Sequence, residues 1–206
     1  MKKLLTILAV TGFMLFLLVG YSTTVNSNIS ENIVRLHILA NSDSVEDQKL
    51  KLQVRDAILK HSRANFTKKS DVKTKLDEYK AIAEAVISKK GYDYPVEVEY
   101  GNFKFPTKEY NNIRLPAGNY DALRVKIGNA DGQNWWCVMF PPLCFVDGTT
   151  DSVYAEEKLQ SSLDKEAYDI ITTSAQNGVF PFEVKFKIVE FYGKLCGKDK
   201  VYAKSR

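Results

Sequence analysis

The residues best suited to chemistry lie in one stretch of eleven, from Trp135 to Phe145. It contains both tryptophans, two of the three cysteines (Cys137 and Cys144) and the pair Pro141-Pro142. Six consecutive apolar residues from Trp135 predict a strand that is buried on both faces, or that turns one face to a partner. Proline cannot donate to a strand ladder, so we expect the strand to end at the prolines and the chain to turn.

That turn would carry Cys144 back toward Cys137, and three alternatives follow. The pair could form a disulfide, which requires Cα atoms within about 7 Å, or remain as two buried thiols. It could also be a redox or nucleophilic site, but the six-residue gap differs from a Cys-x-x-Cys motif. The chain has too few further ligands for a zinc site. Cys196 is left over, and we expect it to be an incidental exposed thiol.

The chain has only two histidines, His37 and His61. A nucleophilic Cys-His pair would need His37 beside Cys137 or Cys144, and nothing in the sequence requires that arrangement. His61 falls near the end of a predicted helix, where a cation suits the helix dipole. We therefore predict no catalytic residue, cofactor or metal site. The enzymatic alternative is an extracytoplasmic Cys/His hydrolase acting in the cell envelope.

A second polar concentration joins Arg35 to Asn41-Ser42-Asp43, near the end of one predicted strand and the start of a helix. Asp43 or Ser44 can cap that helix, because short polar side chains accept hydrogen bonds from its first backbone amides. Capping together with a salt bridge is one interpretation of this group. A recognition surface is the other.

The N-terminus has the layout of a secretory signal. Met1-Lys2-Lys3 is basic, Leu4 to Gly20 is uncharged and mostly apolar, and a polar segment follows. Gly20-Tyr21-Ser22 is a small-x-small cleavage site, and Val25-Asn26-Ser27 is a weaker second. An uncleaved anchor is the alternative. Either way, we expect the remaining chain to be extracytoplasmic.

Composition limits the remaining roughly 180 residues to one domain with a core of its own. Lys2 and Lys3 contribute to the 29 basic residues that face 25 acidic ones, so the domain itself is nearly neutral and unlike a nucleic-acid-binding protein. The predicted division is a signal peptide or anchor at 1–25, a single domain at 30–196 and a tail at 197–206. Within the domain, residues 151–177 are weakly patterned.

Periodicity predicts an α+β fold, a mainly antiparallel sheet with two or more helices packed on one face. The expected strands are 33–39, a strand opening at Pro95, an antiparallel hairpin of 120–127 with 134–140, and 183–188. Because it has no polar face, the Trp strand is expected to be central. One helix should begin at Val45 or Glu46, a second should run from a Ser70 cap to Gly91, and a last should follow 188. Residues 106–118 are expected to form a loop.

Four segments resemble the stage II sporulation protein R (SpoIIR) family. They are Val34-Arg35-Leu36-His37-Ile38-Leu39-Ala40-Asn41-Ser42-Asp43-Ser44, Phe105-Pro106-Thr107-Lys108, residues 115–123 (LPAGNYDAL) and residues 134–145. Their order and spacing, and the N-terminal signal, also match. The resemblance covers roughly 33–145 and is weak beyond it.

The resemblance implies a signalling protein without catalytic activity of its own. Such a protein is made in the forespore, exported to the intermembrane space between forespore and mother cell, and activates the membrane-embedded aspartic-type protease SpoIIGA, which cleaves pro-sigma-E. It would work close to the septal membrane, with no nucleic acid and no small-molecule substrate. A passive wall- or membrane-surface binding module is a further alternative. The candidate receptor contacts are Trp135, Trp136, Phe140, Phe145, Arg35 and Asp43, for which plain core packing is the competing interpretation.

Overall fold

The structure, a computed structural model, describes residues 2–65, 69–110, 112–143 and 152–177. These residues form an α+β fold with a mixed four-stranded sheet, a separate two-stranded sheet and six helices. The helices are α1 (Lys2–Asn32), α2 (Val45–Asn65), α3 (Lys69–Thr74), α4 (Leu76–Lys89), α5 (Ser152–Ser162) and α6 (Lys165–Asn177). The strands are β1 (Val34–Leu39), β2 (Val96–Phe105), β3 (Lys108–Tyr110), β4 (Ile113–Leu115), β5 (Gly118–Ile127) and β6 (Asn134–Phe140).

The main sheet has the order β2-β5-β1-β6. β1 pairs in parallel with β5 and antiparallel with β6, while β2 and β5 are antiparallel. The prediction of a mainly antiparallel sheet is therefore only partly right. The predicted β5–β6 hairpin is wrong, because β1 lies between these two strands and hydrogen-bonds to both.

The Trp strand, β6, is an edge strand of this sheet and not a central one. β6 lacks a polar face because other elements cover both of its faces, and not because it lies between two strands. Cys137 and Met139 pack in the cluster beneath α2 and α4, whereas Trp136 and Val138 pack in the cluster on the opposite side. The strand ends at Phe140 before the prolines, as predicted.

The first face of the sheet is covered by α2, α3 and α4. Val34, Leu36 and Ile38 of β1 are fully buried there. α2 begins at Val45, as predicted, and presents its apolar face to the sheet. The predicted second helix is divided, because Lys75 leaves helical geometry at φ −122° and ψ 34° between α3 and α4. Ser70 lies inside α3 and is not a cap.

The second face is also covered, which corrects the prediction that the helices pack on one face only. Its cover combines the C-terminal part of α1, the β3–β4 hairpin, α5 and α6, which meet in a second apolar cluster. The predicted loop at 106–118 contains the β3–β4 hairpin, and the weakly patterned segment 151–177 contains two helices. The predicted strand 183–188 and the terminal helix fall outside the described residues.

α1 is one continuous helix of 31 residues with two different surroundings. Its N-terminal part exposes large apolar side chains, such as Leu5 at 73% and Phe16 at 72%. Its C-terminal part is inside the domain, where Val25 is 5% and Ile29 1% exposed. In the part of the chain that the structure describes, no helix is long and apolar enough to cross a membrane.

Candidate functional site

The turn between β1 and α2 is fastened to the loop between β5 and β6. The Asn41 Oδ1 accepts a hydrogen bond from the Asn129 amide at 2.9 Å, and the Asp43 Oδ1 accepts one from the Gln133 amide at 2.7 Å. The Gly132 amide donates to the Ala40 carbonyl at 3.0 Å. Asp43 thus bonds within the domain through its exposed side chain, so the motif Asn41-Ser42-Asp43 connects two segments distant in sequence.

Two glycines make this close approach feasible. A Cβ on Gly132 would lie 2.2 Å from the Ser42 carbonyl oxygen. A Cβ on Gly128 would lie 2.2 Å from the Asn41 Oδ1, and Gly128 also has a φ of +60°, which favours glycine. The turn at 41–42 can therefore lie this close to the loop at 128–132 only because the loop has glycine at these two positions.

The start of α2 is capped from within the same turn. The Ser44 hydroxyl accepts from the Asp47 amide at 3.1 Å, as capping predicted. Asp47 in turn accepts from the Ser42 hydroxyl at 2.6 Å and the Asn41 amide nitrogen at 2.9 Å. Burial acts to raise the pKa of Asp47, but the hydrogen bonds from Ser42, Asn41, Tyr94 and Ser44 outweigh it and hold that pKa below its usual value. The carboxylate is thus a fixed, charged part of the turn.

Arg35 is fully buried on the second face of the sheet. Its Nε donates to the Cys137 carbonyl at 3.2 Å, and its Nη2 donates to the Tyr110 hydroxyl at 2.9 Å. The guanidinium carbon lies 4.5 Å from the Phe105 ring centre and 5.0 Å from that of Tyr120. Aromatic rings and neutral oxygens stabilise this cation, and the expected salt bridge is not among the ion pairs of the described residues.

His37 lies next to Arg35 on the same face and is held by both ring nitrogens. Its Nε2 donates to the Asn134 Oδ1 at 2.6 Å, and its Nδ1 accepts from the Arg124 Nε at 3.2 Å. The ring stacks on Trp136 with 3.8 Å between centres. Burial lowers the pKa of His37 from 6.5 to about 3, and the positive charges of Arg124 and Lys126 act in the same direction. The imidazole is therefore neutral and its nitrogens are occupied.

His61 has a different setting. It lies in α2 and contacts the Glu78 carboxylate of α4 through its Nε2 at 3.0 Å. This pair of a half-buried histidine and an exposed carboxylate links two helices on the first face of the sheet, away from His37. The two histidines of the chain therefore do not form a common site.

The residues of β6 divide between the two faces of the sheet. Trp136 is 7% exposed and packs edge-on against Phe105 at 4.8 Å. Trp135 is half-buried on the other face, with the Arg55 guanidinium carbon 4.5 Å from its ring centre. Phe140 joins the Trp135 face because a bulge pairs Val34 with Phe140 and Arg35 with Val138, so that Met139 has no partner. Trp135 and Phe140 remain partly accessible, whereas Trp136 belongs to the core.

Cys137 and His37 point to opposite sides of the sheet. Cys137 pairs in register with Leu36 and packs beneath the helices of the first face, whereas His37 pairs with Trp136 on the second. A Cys137–His37 nucleophilic pair is thereby excluded. Cys137 is disulfide-bonded. Cys144, Phe145 and Cys196 lie outside the described residues, so the partner of Cys137 is not identified. The predicted Cys137–Cys144 pairing therefore stays a prediction.

Within residues 2–65, 69–110, 112–143 and 152–177, no cluster of three His, Cys, Asp or Glu side chains could hold a metal ion. Five residues that the sequence did not single out as site residues define the surroundings of Arg35, His37 and Trp135, namely Arg55, Phe105, Tyr110, Tyr120 and Arg124. For Phe105 a signal existed, because it continues the alternation of Phe103 in a strand. For Arg55 and Tyr110 the sequence carries none, since their contacts depend on how distant elements pack.

Comparisons with known proteins give one consistent result. A family model described as "Stage II sporulation protein R" matches residues 30–150, which is more than half of the chain. The chain is 35% identical over 185 residues to the stage II sporulation protein R of Bacillus subtilis (strain 168), covering 81% of this chain and 83% of that protein. No solved structure matches the chain.

Proposed function

Because the chain belongs to the stage II sporulation protein R family, we propose that it is the secreted signal from the forespore to the mother cell. In this proposal the protein acts in the intermembrane space between the two compartments. There it activates the membrane-embedded aspartic-type protease SpoIIGA, which then cleaves pro-sigma-E. The single observation that carries the proposal is the family membership, which gives the chain a role in sporulation.

Two features of the molecule support export. The N-terminal part of α1 exposes a series of large apolar side chains, including Leu4 at 62% and Phe13 at 62%. Apolar surface of this kind is expected to be bound by a membrane or an export machinery rather than left in water. The disulfide at Cys137 is the second feature, because such bonds persist in oxidising compartments and are rare in the cytosol.

The geometry favours a binding role over an enzymatic one. The neutral His37 bonds through both nitrogens, and Cys137 is on the other side of the sheet and is disulfide-bonded. A general base must be able to accept a proton from its nucleophile, and His37 has no free nitrogen for this. The Cys/His hydrolase alternative therefore has no support from this pair.

For the receptor contact we select Trp135 and Arg55, with Phe140 beside them on the same side of β6. Trp and Arg dominate the binding energy of protein interfaces, and this pair is stacked and partly accessible. Arg35 and Trp136 are buried in the core, which makes them supports of the sheet. Activation requires that the protein bind the active arrangement of the protease more tightly than the inactive one.

The proposal is tested by reconstitution of the protease in vesicles, with pro-sigma-E on the opposite side from the added protein. We expect added wild-type protein to increase the cleaved fraction of pro-sigma-E. No increase would contradict the proposed function. Protein that sediments with lipid or cell wall in the absence of the protease, and does not activate it, would instead support the passive binding module.

The contact surface is tested in the same assay with Trp135→Ala. We expect about a tenfold or greater rise in the concentration needed for half activation, the effect of losing about 1.4 kcal/mol at a hot spot. Phe103→Ala is the matched control, because Phe103 is also a half-buried aromatic residue under an arginine, Arg124 at 3.6 Å, on the opposite edge strand. If both folded variants activate like wild type, the Trp135 surface is not the contact.

A further inference from the structure

The two edges of the main sheet differ in how accessible their backbone is. β6 forms one edge, but its residues 136–139 are only 0–7% exposed. The Tyr110 hydroxyl donates to the Trp136 carbonyl, and the Arg35 Nε donates to the Cys137 carbonyl. β2 forms the other edge, and every residue from 97 to 104 is half-buried or exposed. The edge at β2 is therefore the more accessible of the two.

β2 is also regular enough to accept a further strand. Its ten residues pair one to one with those of β5, without a bulge. Pro95 and Pro106 flank the strand, and no proline lies within it. In an antiparallel pair, alternate residues direct their amide and carbonyl groups away from the partner strand. Among the described residues no second strand pairs with β2, and a long edge of this kind is where another chain can add a strand.

The paired side of β2 shows which residue pattern this strand accepts. Three successive pairs join an acidic-apolar-acidic run of β2 to a basic-apolar-basic run of β5: Glu97 with Lys126, Val98 with Val125, and Glu99 with Arg124. The Lys126 ammonium lies 3.2 Å from the Glu97 Oε1 and 3.1 Å from the Glu99 Oε1. Opposite charges on neighbouring strands stabilise the pairing. β2 therefore favours a neighbour in which basic and apolar residues alternate.

The same two glutamates face the open edge as well. Their ion pairs with Lys126 and Arg124 are made through Oε1, which leaves the Oε2 of each carboxylate for a donor on the other side. The side chains of Glu97 and Glu99 are 64% and 34% exposed. Val98, between them, points to the other face, where it packs against the apolar cluster beneath α2 and α4. The open edge thus presents the same acidic-apolar-acidic pattern that β5 already pairs with.

We propose that the open edge of β2 binds an extended segment of a partner protein as a fifth strand, with a basic-apolar-basic run opposite Glu99, Val98 and Glu97. Backbone hydrogen bonds supply affinity, and the glutamates supply specificity, because acidic residues at these positions would be repelled. Trp135 lies on β6, at the opposite edge of the sheet, so both surfaces can be occupied at once. This second interaction surface does not depend on the proposed receptor contact.

The test is the binding of a synthetic peptide, Thr-Val-Arg-Val-Lys-Val-Thr, to the full chain, measured by fluorescence anisotropy. We expect binding, and we expect it to weaken about tenfold when Glu replaces both Arg and Lys. Two further peptides carry N-methyl groups either on Arg and Lys or on the three valines. Only alternate amides of an added strand point to β2, so one of these two peptides should lose binding and the other should keep it. No binding of the parent peptide, or equal binding of the two methylated peptides, would overturn the proposal.

A charge exchange tests the predicted pattern at one position. Glu97→Lys should weaken binding of the parent peptide about fivefold, and it should bind more tightly a peptide in which Glu replaces Lys. Glu109→Lys is the matched control, because the Glu109 side chain is 59% exposed, pairs with Arg114 at 3.3 Å and lies in β3. If both variants bind the parent peptide equally well, Glu97 does not recognise the added strand and the proposal fails.

The competing occupant is a segment of the chain itself. Lys185-Phe186-Lys187, in the predicted strand 183–188, has the same basic-apolar-basic pattern. We expect the double substitution Lys185→Glu and Lys187→Glu to leave the affinity for the parent peptide unchanged. A peptide that binds this variant but not the wild type would show that the chain's own segment occupies the edge, and the proposed partner would then be excluded.

Discussion

The two faces of β1 are stabilised by different physical means. On the first face, Val34, Leu36 and Ile38 pack among apolar side chains of α2, α4 and neighbouring strands. On the second, Arg35 and His37 are equally buried but depend on hydrogen bonds and aromatic rings. The two sides of this strand are therefore sensitive to different changes. On the first face the protein is destabilised when side-chain volume is removed, and on the second when hydrogen bonds are removed.

The largest effect is expected on the apolar face. Leu36→Ala removes a side chain with 0% exposure and leaves a cavity beneath the helices. We expect the free energy of unfolding to fall by about 2.7–5 kcal/mol, as measured by urea denaturation. A loss below about 1 kcal/mol would mean that the first face collapses around the cavity and is less rigid than described.

An intermediate effect is expected from pH, through His37. The unfolded chain binds a proton at His37 below pH 6.5, whereas the folded protein does so only near its pKa of about 3. The contribution of the neutral His37 to the free energy of unfolding is therefore fully present above pH 6.5, and it is lost as the pH falls from 6.5 toward 3. The slope approaches about 1.4 kcal/mol per pH unit, so we expect roughly 2 kcal/mol less stability at pH 5 than at pH 8.

Urea denaturation at a series of pH values measures this difference. His37→Gln should remove most of the slope between pH 5 and 6.5, a range in which carboxylates contribute little. His61→Gln makes the same substitution at the half-buried histidine of α2 and is the matched control for the change of side chain. A wild-type protein with equal stability at pH 5 and 8 would show that His37 is not buried as a neutral base.

The smallest effect is expected from Arg35→Met, which keeps an unbranched side chain but removes the charge. It loses the bonds to the Cys137 carbonyl and the Tyr110 hydroxyl, and it relieves the cost of burying a cation. We expect a net loss of about 1 kcal/mol in urea denaturation, below that of Leu36→Ala. A loss above about 3 kcal/mol would show that the second face depends on the cation as strongly as the first depends on volume.

The sequence predicted the strands of the main sheet well because alternation is a local property. In the predicted strand 33–39, Val34, Leu36 and Ile38 alternate with Arg35 and His37, and the structure has the two sets on opposite sides of the sheet. It failed on strand order, because an apolar strand such as β6 requires cover on both faces but not a central position. The two polar residues of β1, Arg35 and His37, gave no indication that β1 is one of the two interior strands of the sheet.

The surroundings of the candidate residues were less predictable for the same reason. Asp43 or Ser44 was expected to cap α2, and Ser44 does. The contact of Asn41 and Ser42 with Gly128 and Gly132 depends on strand pairing between segments far apart in sequence. Trp135 and Trp136 lie on opposite faces of the sheet because side chains alternate along a strand. Phe140 lies on the same face as Trp135 because of a bulge that no sequence pattern indicates.

The interior position of β1 has a consequence for the order in which an exported chain can fold. His37 pairs with Arg124, which is 87 residues further along, and its other neighbour, Trp136, is later still. If the chain leaves the cell from its N-terminus, β1 emerges first, has no strand partner until β5 has crossed, and lacks its second partner until the chain as far as Phe140 has crossed. Such high contact order slows folding. Under the proposed export, the chain would therefore stay unfolded while it crosses the membrane, and the sheet would be complete only when nearly all of it is outside.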